Sequence, residues 1–134
     1  MKIGFVACAA KKHLGMWPAK DLYTSHLFQK AYSFAVKNCD SVFILSAKYG
    51  LVKPEQVIES YDLTLNNFTE RGREVWARKV YADIITNTKA TDEMYWFAGV
   101  NYRKYLMRLL PNIHHEPVKG LGIGSQMKWY KDRL

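Results

Sequence analysis

Short apolar runs alternate along this chain with longer segments in which apolar residues recur every three or four positions. The short runs predict buried strands, and the longer segments predict amphipathic helices. Strands are expected at residues 2–8, 41–46, 93–98 and 114–118. Helices are expected over 20–37, from a capping-box pattern at Asn67 to about residue 87, from Asn101 until Pro111 stops the helix, and after the glycine-rich segment 120–125.

This alternation predicts an α/β fold, a three-layer αβα sandwich around a central, mainly parallel four-stranded sheet. The 134 residues fit a single domain, 1–134. Because parallel strands end at the same edge of a sheet, the loops that follow them are expected to open together, at the place where α/β folds bind ligands. These loops are residues 9–19, 47–66, 99–102 and 119–125.

Charge adds a preference for partners. The formal net charge is +8, from 20 Lys and Arg against 12 Asp and Glu, which favours a nucleic acid or nucleotide over a neutral ligand; a merely soluble basic protein is the alternative. Two cysteines, Cys8 and Cys39, and a start without a signal-peptide pattern predict a reduced, cytoplasmic setting. No apolar run approaches ~18 residues, so no membrane partner is expected. The oligomeric state stays open.

The richest candidate stretch follows the apolar run 42–45. Ser46, Lys48, Tyr49 and Gly50 arrive together where a buried strand ends. A tight turn in which Gly50 supplies positive φ would explain the glycine and leave the lysine and the tyrosine unexplained. The stretch therefore predicts a functional loop.

The first loop is long and basic, with Lys11 and Lys12 as candidates for contact with phosphate or a leaving base. It contains neither a P-loop nor a dinucleotide-binding glycine motif. A cysteine such as Cys8 at the end of a buried strand is usually inert. The spacing of cysteines and histidines is poor for zinc, so no metal and no cofactor are expected.

Two carboxylates are candidates for catalysis. Asp62 follows Tyr61 on a polar loop, and Asp21 lies near the start of the first predicted helix. Asp62 as a solvated loop acid, and Asp21 as a complement to the helix dipole, are the alternatives. A desolvated lysine can be a nucleophile, which makes Lys48 a third candidate.

Spaced motifs across nearly the whole chain carry a resemblance to known families. They are Cys8-x-x-Lys11-Lys12, Ala19-x-Asp21-Leu22-Tyr23-x-Ser25-x-x-Phe28, the stretch 44–51, Tyr61-Asp62, Trp76, Gly99-x-x-Tyr102 and Gly122-x-Gly124. The set resembles an uncharacterised family of small domains found in bacteria and phages. The first two segments are more distantly similar to the core domain of the tRNA-modifying archaeosine synthases. Both families resemble the uracil-DNA-glycosylase-like αβα fold in architecture.

The resemblance implies work on a nucleobase or its glycosidic bond, with hydrolysis of an N-glycosidic bond as the leading expectation. Asp62 would then stabilise the sugar cation or activate water, and the turn 122–125 would offer N–H groups to a phosphate. The predicted catalytic residues are Asp62, Lys48 and Asp21. The predicted substrate contacts are Cys8, Lys11, Lys12, Tyr23, Ser25, Ser46, Tyr49, Gly50, Tyr61, Gly99, Tyr102, Gly122 and Gly124.

Three other functions remain open at this point. The same basic loops and aromatic residues would serve a non-catalytic module that binds nucleic acid or a nucleotide. Lys48 would serve an enzyme that modifies a base through its amine. A phage or host interaction protein is the third.

Overall fold

Strands and helices alternate through most of the computed structural model, which describes residues 1–134. In chain order they are β1 (Lys2–Ala7), β2 (Met16–Pro18), α1 (Ala19–Leu22), α2 (His26–Asn38), β3 (Ser41–Ser46), β4 (Gly50–Val52), β5 (Val57–Glu59), a 3-10 helix (Leu65–Asn67), α3 (Glu70–Asn87), β6 (Glu93–Phe97), α4 (Val100–Leu109), β7 (His114–His115) and α5 (Ile123–Arg133).

Five strands form the main sheet, in the order β4-β3-β1-β6-β7. The pairs β1–β3, β1–β6 and β6–β7 are parallel, whereas β4 runs antiparallel to β3. The prediction of a mainly parallel sheet is confirmed, and the predicted number of strands is wrong. The structure adds β4 at the edge and shortens the last predicted strand to His114–His115, because Pro117 has no N–H to donate to a ladder.

A hairpin after β3 explains the extra strand. Residues 47–49 form its turn, and Gly50 has φ +74° at the start of β4. Glycine adopts this conformation without the steric cost that a Cβ brings. The segment 47–66, expected to be a loop that is irregular over 53–66 apart from a short helix, contains β4 and the start of the 3-10 helix. It also contains β5, which pairs with β2 in a separate two-stranded sheet.

The helix predicted over 20–37 is interrupted. Tyr23 is extended, with ψ 121°, and its backbone forms an antiparallel bridge with Lys12. The chain re-enters a helix only after Ser25, whose side chain accepts a hydrogen bond from the Phe28 N–H. Amphipathic spacing continues across the break, so periodicity alone did not reveal it.

The cap of α3 also differs from the prediction. Thr69 is the N-cap, with its hydroxyl accepting from the Gly72 N–H at 3.0 Å. Asn67 instead ends the preceding 3-10 helix. The predicted end near residue 87 is confirmed.

Apolar clusters pack against both faces of the main sheet. On one face Phe5, Leu45 and Trp96 pack with residues of α3 and α4. Their strand neighbours Val6, Ile44 and Phe97 face the other way and pack with residues of α2 and α5. This alternation follows from the two-residue period of a strand, which sends successive side chains to opposite faces.

Close packing of α2 on the sheet depends on a glycine in β1. A Cβ at Gly4 would lie 3.1 Å from the Cys39 sulfur and 3.3 Å from the Cβ of Ala35. The helix can therefore approach the strand only where a side chain is missing.

The helices are also too short or too polar to qualify as membrane spans.

The strand order defines where the connections diverge. From β1 the chain passes through α2 to β3 on one side, and later places β6 and β7 on the other side of β1. The connection after β1 leads to a helix on one face, and that after β6 leads to a helix on the opposite face. Ligands of open α/β sheets bind at such switch points, beyond the carboxyl ends of the strands.

Candidate functional site

A cleft of about 560 Å³ opens at this switch point, and we call it the switch-point cleft. Its floor is the end of β1 and of β6, including Cys8 and Ala98. The first residues of α2, α4 and α5, and the segment that precedes α5, form its walls. Its volume is in the range of small-molecule sites in proteins.

Two helices begin at the switch-point cleft without a side-chain cap. Gly99 is the N-cap of α4, and Gly122 is the N-cap of α5. The amides of Val100 and Asn101, in the first turn of α4, have no acceptor in the protein. Uncapped N–H groups and the positive end of the helix dipole favour an anion at such a place.

The two N-cap glycines leave their backbone open. A Cβ built at either position meets no atom within 4 Å. Their φ angles, −61° and −70°, suit any residue. Neither packing nor backbone conformation therefore requires glycine at these two positions. The absence of a side chain there lets a ligand approach the main chain closely.

Three amide side chains also line the cleft: Asn66, Asn101 and Gln126. Asn101 Nδ2 donates to Asn66 Oδ1 at 2.8 Å, and Gln126 Nε2 donates to the Leu121 carbonyl at 2.8 Å. Each amide still has a donor or an acceptor that these bonds do not use. Sequence reasoning assigned these three residues no role; a polar residue two positions after Gly99 was the available signal for Asn101.

The rest of the lining is mostly apolar. Phe28, Phe97 and Leu121 contribute to it, and no Asp or Glu is among the lining residues. The one charged residue is Arg103, and its guanidinium already donates to Glu116 and to the Ala98 carbonyl, both at 2.7 Å. The cleft thus offers an apolar wall, amides and free N–H groups, without a carboxylate.

Cys8 and Tyr102 meet at the floor of the cleft, with 3.3 Å between the sulfur and the phenol oxygen. The Tyr102 oxygen also accepts a hydrogen bond from the Leu65 N–H. Burial raises the pKa of Tyr102 above its ordinary value, so its hydroxyl is protonated at neutral pH. Among the predicted substrate contacts, the structure places Cys8, Ser25, Gly99 and Tyr102 in this cleft.

Tyr23, Ser46 and Tyr61 form a second arrangement, which we call the tyrosine–serine network. The two phenol oxygens are 2.7 Å apart, and the Ser46 hydroxyl donates to Tyr61 at 2.8 Å. The Ser46 oxygen in turn accepts from the Tyr49 N–H at 3.0 Å. Trp76 Nε1 donates to the Ser46 carbonyl at 3.0 Å, which holds the end of β3 in place.

Burial raises the pKa of Tyr23 and Tyr61 above the ordinary tyrosine value. Both hydroxyls therefore stay protonated and act as hydrogen-bonding groups rather than as bases. Tyr23 is only 1% exposed. This placement suits a residue that supports the site from behind.

A neighbouring groove of about 490 Å³ contains Lys12, Tyr61 and Asp62. The Lys12 amine lies 4.6 Å from the centre of the Tyr61 ring and donates to the Ala10 carbonyl at 3.3 Å. Asp62 and Lys11 are exposed. The predicted carboxylate, cation and aromatic ring are thus together here, outside the switch-point cleft.

The other predicted residues lie elsewhere. Lys48, Tyr49 and Gly50 line a groove against α3, and the Lys48 side chain is exposed. Asp21 is exposed on α1. Gly122, the N-cap of α5, lies between the cleft-lining residues Leu121 and Ile123, and Gly124 lies in the first turn of α5; neither glycine lines the cleft itself. The three predicted catalytic residues, Asp62, Lys48 and Asp21, therefore do not share one pocket.

No three His, Cys, Asp or Glu side chains are grouped as metal ligands. Both cysteines are free thiols. Burial raises the pKa of the Cys39 thiol to about 11, so it is protonated at neutral pH.

Fold and cleft together define an α/β domain that has a mainly parallel sheet and an anion-favouring cleft at its switch point. The chain belongs to DUF6884, a family of unknown function whose sequence model matches residues 3–132. Searches of curated proteins and of solved structures found no match. The resemblance to archaeosine synthases and to the uracil-DNA-glycosylase-like fold stays a prediction.

Proposed function

We propose that this protein binds a nucleotide unit in the switch-point cleft. One observation carries the proposal: two uncapped, glycine-preceded helix N-termini, of α4 and α5, open on one cleft that is also lined by amides and apolar side chains. Such a cleft offers partners for each part of a nucleotide.

The phosphate would lie at the helix N-termini. Free N–H groups such as those of Val100 and Asn101 donate to phosphate oxygens, and the helix dipole favours the charge. The missing side chains at Gly99 and Gly122 leave room for this approach. The formal net charge of +8 attracts anions over a longer range.

The base would lie against the apolar wall. Phe28, Phe97 and Leu121 supply surface for a flat ring. The amides of Asn101 and Gln126 can each donate and accept, as the edges of nucleobases require. This proposal treats the fold as a three-layer αβα arrangement, which the packing of helices on both faces of the sheet supports.

A charge swap at Gly99 tests the proposal. We expect Gly99→Asp to bind nucleoside monophosphates roughly tenfold to a hundredfold more weakly than Gly99→Asn does, or not at all, because the carboxylate repels the phosphate. Both side chains are good N-caps, so unfolding free energy should rise by about 0.5 kcal/mol or stay unchanged. Calorimetric titration and urea unfolding measure the two effects.

Matching nucleosides without phosphate are the ligand control. They should bind weakly to the unchanged protein and respond equally to the Asp and Asn variants. Unchanged monophosphate binding in both variants would remove the helix N-terminus of α4 from the site, whereas equal loss in both would show that the added side chain, and not its charge, blocks the ligand. No binding by any monophosphate in the panel would remove the proposed function.

Hydrolysis of an N-glycosidic bond is the second candidate. It is favoured by the groove in which Asp62 lies with Lys12 and with Tyr61, whose hydroxyl is held by Ser46. A carboxylate beside a sugar can stabilise the cation that forms, and a cation can receive the leaving base. No corresponding observation favours a reaction at the exposed Lys48.

The reaction is tested by incubating the protein with oligonucleotides and nucleosides and following released bases by mass spectrometry. If Asp62 is the catalytic carboxylate, Asp62→Asn lowers turnover by roughly 10²–10⁴-fold, while Asp21→Asn serves as the matched control. Base release that survives in Asp62→Asn would remove Asp62 from the mechanism. Binding without any product would leave the non-catalytic module.

A further inference from the structure

We infer that the nucleotide unit in the cleft belongs to a nucleic-acid strand, and that the backbone of this strand continues along a cationic groove on α4. The inference rests on the proposed function and adds the class of ligand and the path that it takes. We call this surface the α4 groove, and its cations are Arg103, Lys104, Arg108 and Lys119.

The α4 groove has a volume of about 400 Å³ and joins the switch-point cleft directly. Val100 and Arg103 line both. The N-terminus of α4, where the phosphate is proposed to bind, therefore lies between the cleft and the groove. A chain of phosphates that begins in the cleft has a continuous surface to follow.

Helical spacing explains why the cations are aligned. The α4 residues of the groove are Val100, Arg103, Lys104, Met107 and Arg108. Steps of three and four residues place side chains on one face of a helix. The helix has 10 residues and is roughly 15 Å long. The groove is therefore an extended track rather than a single point of charge.

The charges in the α4 groove are not balanced within the protein. Glu116 is its one carboxylate, at 2.7 Å from Arg103 and 3.6 Å from Lys119. Lys104 and Arg108 have no acidic partner and lie 5.3 Å and 5.6 Å from the centre of the Tyr105 ring. Such an excess of positive charge is the electrostatic footprint of a phosphate backbone.

The histidine of the groove is held by hydrogen bonds within the protein. His114 Nδ1 accepts from Trp96 Nε1 at 2.9 Å, and His114 Nε2 is 3.0 Å from the Leu110 carbonyl, to which it donates. Both ring nitrogens therefore have partners in the protein.

The position of the cleft also limits which form of nucleic acid can bind. A base that enters a pocket beyond the ends of the β-strands is neither paired nor stacked within a duplex. The ligand is therefore a single strand, or an end or loop with one unpaired nucleotide. A free mononucleotide would occupy the cleft alone and would make no use of Lys104 and Arg108, which line only the groove.

The test compares ligands of two lengths at several salt concentrations. Labelled single-stranded DNA and RNA of about ten nucleotides are titrated with the protein by fluorescence polarisation, and nucleoside monophosphates are titrated by calorimetry. We expect the oligonucleotides to bind at least tenfold more tightly, with a steeper loss of affinity as salt rises. Poly-glutamate is the probe for charge alone, and a hairpin-free duplex is the probe for paired strands.

The double variant Arg108→Gln/Lys119→Gln removes two exposed cations of the groove, and Lys20→Gln/Lys37→Gln removes two exposed cations elsewhere. The groove variant should weaken oligonucleotide binding by roughly tenfold or more at about 0.1 M salt, and lower the salt slope by about 1.4. It should leave monophosphate binding unchanged. The control pair should change neither affinity by more than about twofold.

Several outcomes would overturn this inference alone: monophosphates and oligonucleotides binding equally, an unchanged salt slope in the groove variant, tighter binding of the duplex, or poly-glutamate binding as tightly as the oligonucleotides. In each of these cases monophosphate binding that responds to Gly99→Asp would still support the proposed function. Failure of the proposed function would look different, because the monophosphates would then not bind and Gly99→Asp would not change any affinity.

Discussion

In the tyrosine–serine network each hydroxyl has a partner inside the protein, whereas the amides of Val100 and Asn101 in the switch-point cleft have none. The first arrangement joins the end of β3 to two tyrosines, one of which is 1% exposed. The second lies at the ends of β1 and β6 and is open.

This difference shows which polar groups are free to act on a ligand. A hydroxyl whose hydrogen bonds are complete stabilises the fold, because breaking them would leave buried groups unsatisfied. A helix N-terminus without a cap loses nothing within the protein when a ligand binds there. The tyrosine–serine network, with its conspicuous side chains, therefore belongs to the framework of the fold, whereas Gly99 and Gly122 mark the open switch-point cleft.

The largest expected effect is a loss of stability on truncation within the network. We expect Tyr23→Ala to lower the free energy of unfolding by about 3–5 kcal/mol, because it leaves a cavity in a buried region. Ile123→Ala removes an apolar side chain that is 71% exposed at the cleft. This change should alter the free energy of unfolding by less than about 0.5 kcal/mol. Urea unfolding measures both; similar losses would end the distinction between the two regions.

Hydrogen bonds of the network give the next largest effect. Tyr61→Phe should cost about 1–3 kcal/mol, because the Ser46 hydroxyl and Tyr23 lose a common partner. Adding Ser46→Ala should cost less than the sum of the single changes by about 0.5 kcal/mol or more. Tyr49→Phe is the control, because the Tyr49 hydroxyl makes only one exposed hydrogen bond, to the Glu59 carbonyl. Strict additivity would show that the network is not coupled.

The cleft should respond in affinity rather than in stability. We expect Asn101→Ala to weaken nucleotide binding about tenfold, or about 1.4 kcal/mol, with unfolding free energy within about 0.5 kcal/mol of the original. Asn67→Ala, at an exposed residue outside the cleft, should change neither. Calorimetric titration measures affinity, and unaltered binding in Asn101→Ala would exclude its amide from recognition of the base.

Ionisation of the tyrosines of the network is expected to have the smallest effect on stability at neutral pH. The pKa of Tyr23 and Tyr61 is raised in the folded protein. Their stabilisation is complete below the unfolded tyrosine pKa of about 10, and it is lost as pH rises through that value towards the folded one.

Urea midpoints at pH values from about 8 to about 11 should therefore fall less steeply in Tyr61→Phe, which has one raised group fewer. Tyr81→Phe, outside the network, is the matched control. An identical pH slope in both variants would show that burial of Tyr61 does not couple its ionisation to folding.

Local patterns predicted much of the framework. Apolar runs revealed β3 and β6, because strands buried on both faces need apolar residues at nearly every position. The order of those strands along the chain also predicted that Cys8, Gly99 and Tyr102 lie at one edge, and the structure places them in one cleft. The positive φ of Gly50 agrees with a tight turn, the alternative to a functional loop at this stretch.

Features that depend on long-range contacts were not predicted. The break at Tyr23 arises because its backbone bridges to Lys12 and its hydroxyl meets Tyr61, which is 38 residues away. The strands β2 and β5 are each three residues long and pair as strands only with each other. A short segment has too little periodicity to reveal such a pairing.

The sequence by itself determined the alternating α/β framework, the parallel core of the sheet and the edge at which its loops gather, because burial acts on each segment through its own apolar residues. Only the tertiary structure decided which polar groups stay open at that edge. It closed Ser46 and Tyr61 into a network, placed Asp62 outside the cleft, and left the N-termini of α4 and α5 free. Whether a polar group is free to bind a ligand depends on partners that are distant in the chain, and no local sequence pattern predicts those partners.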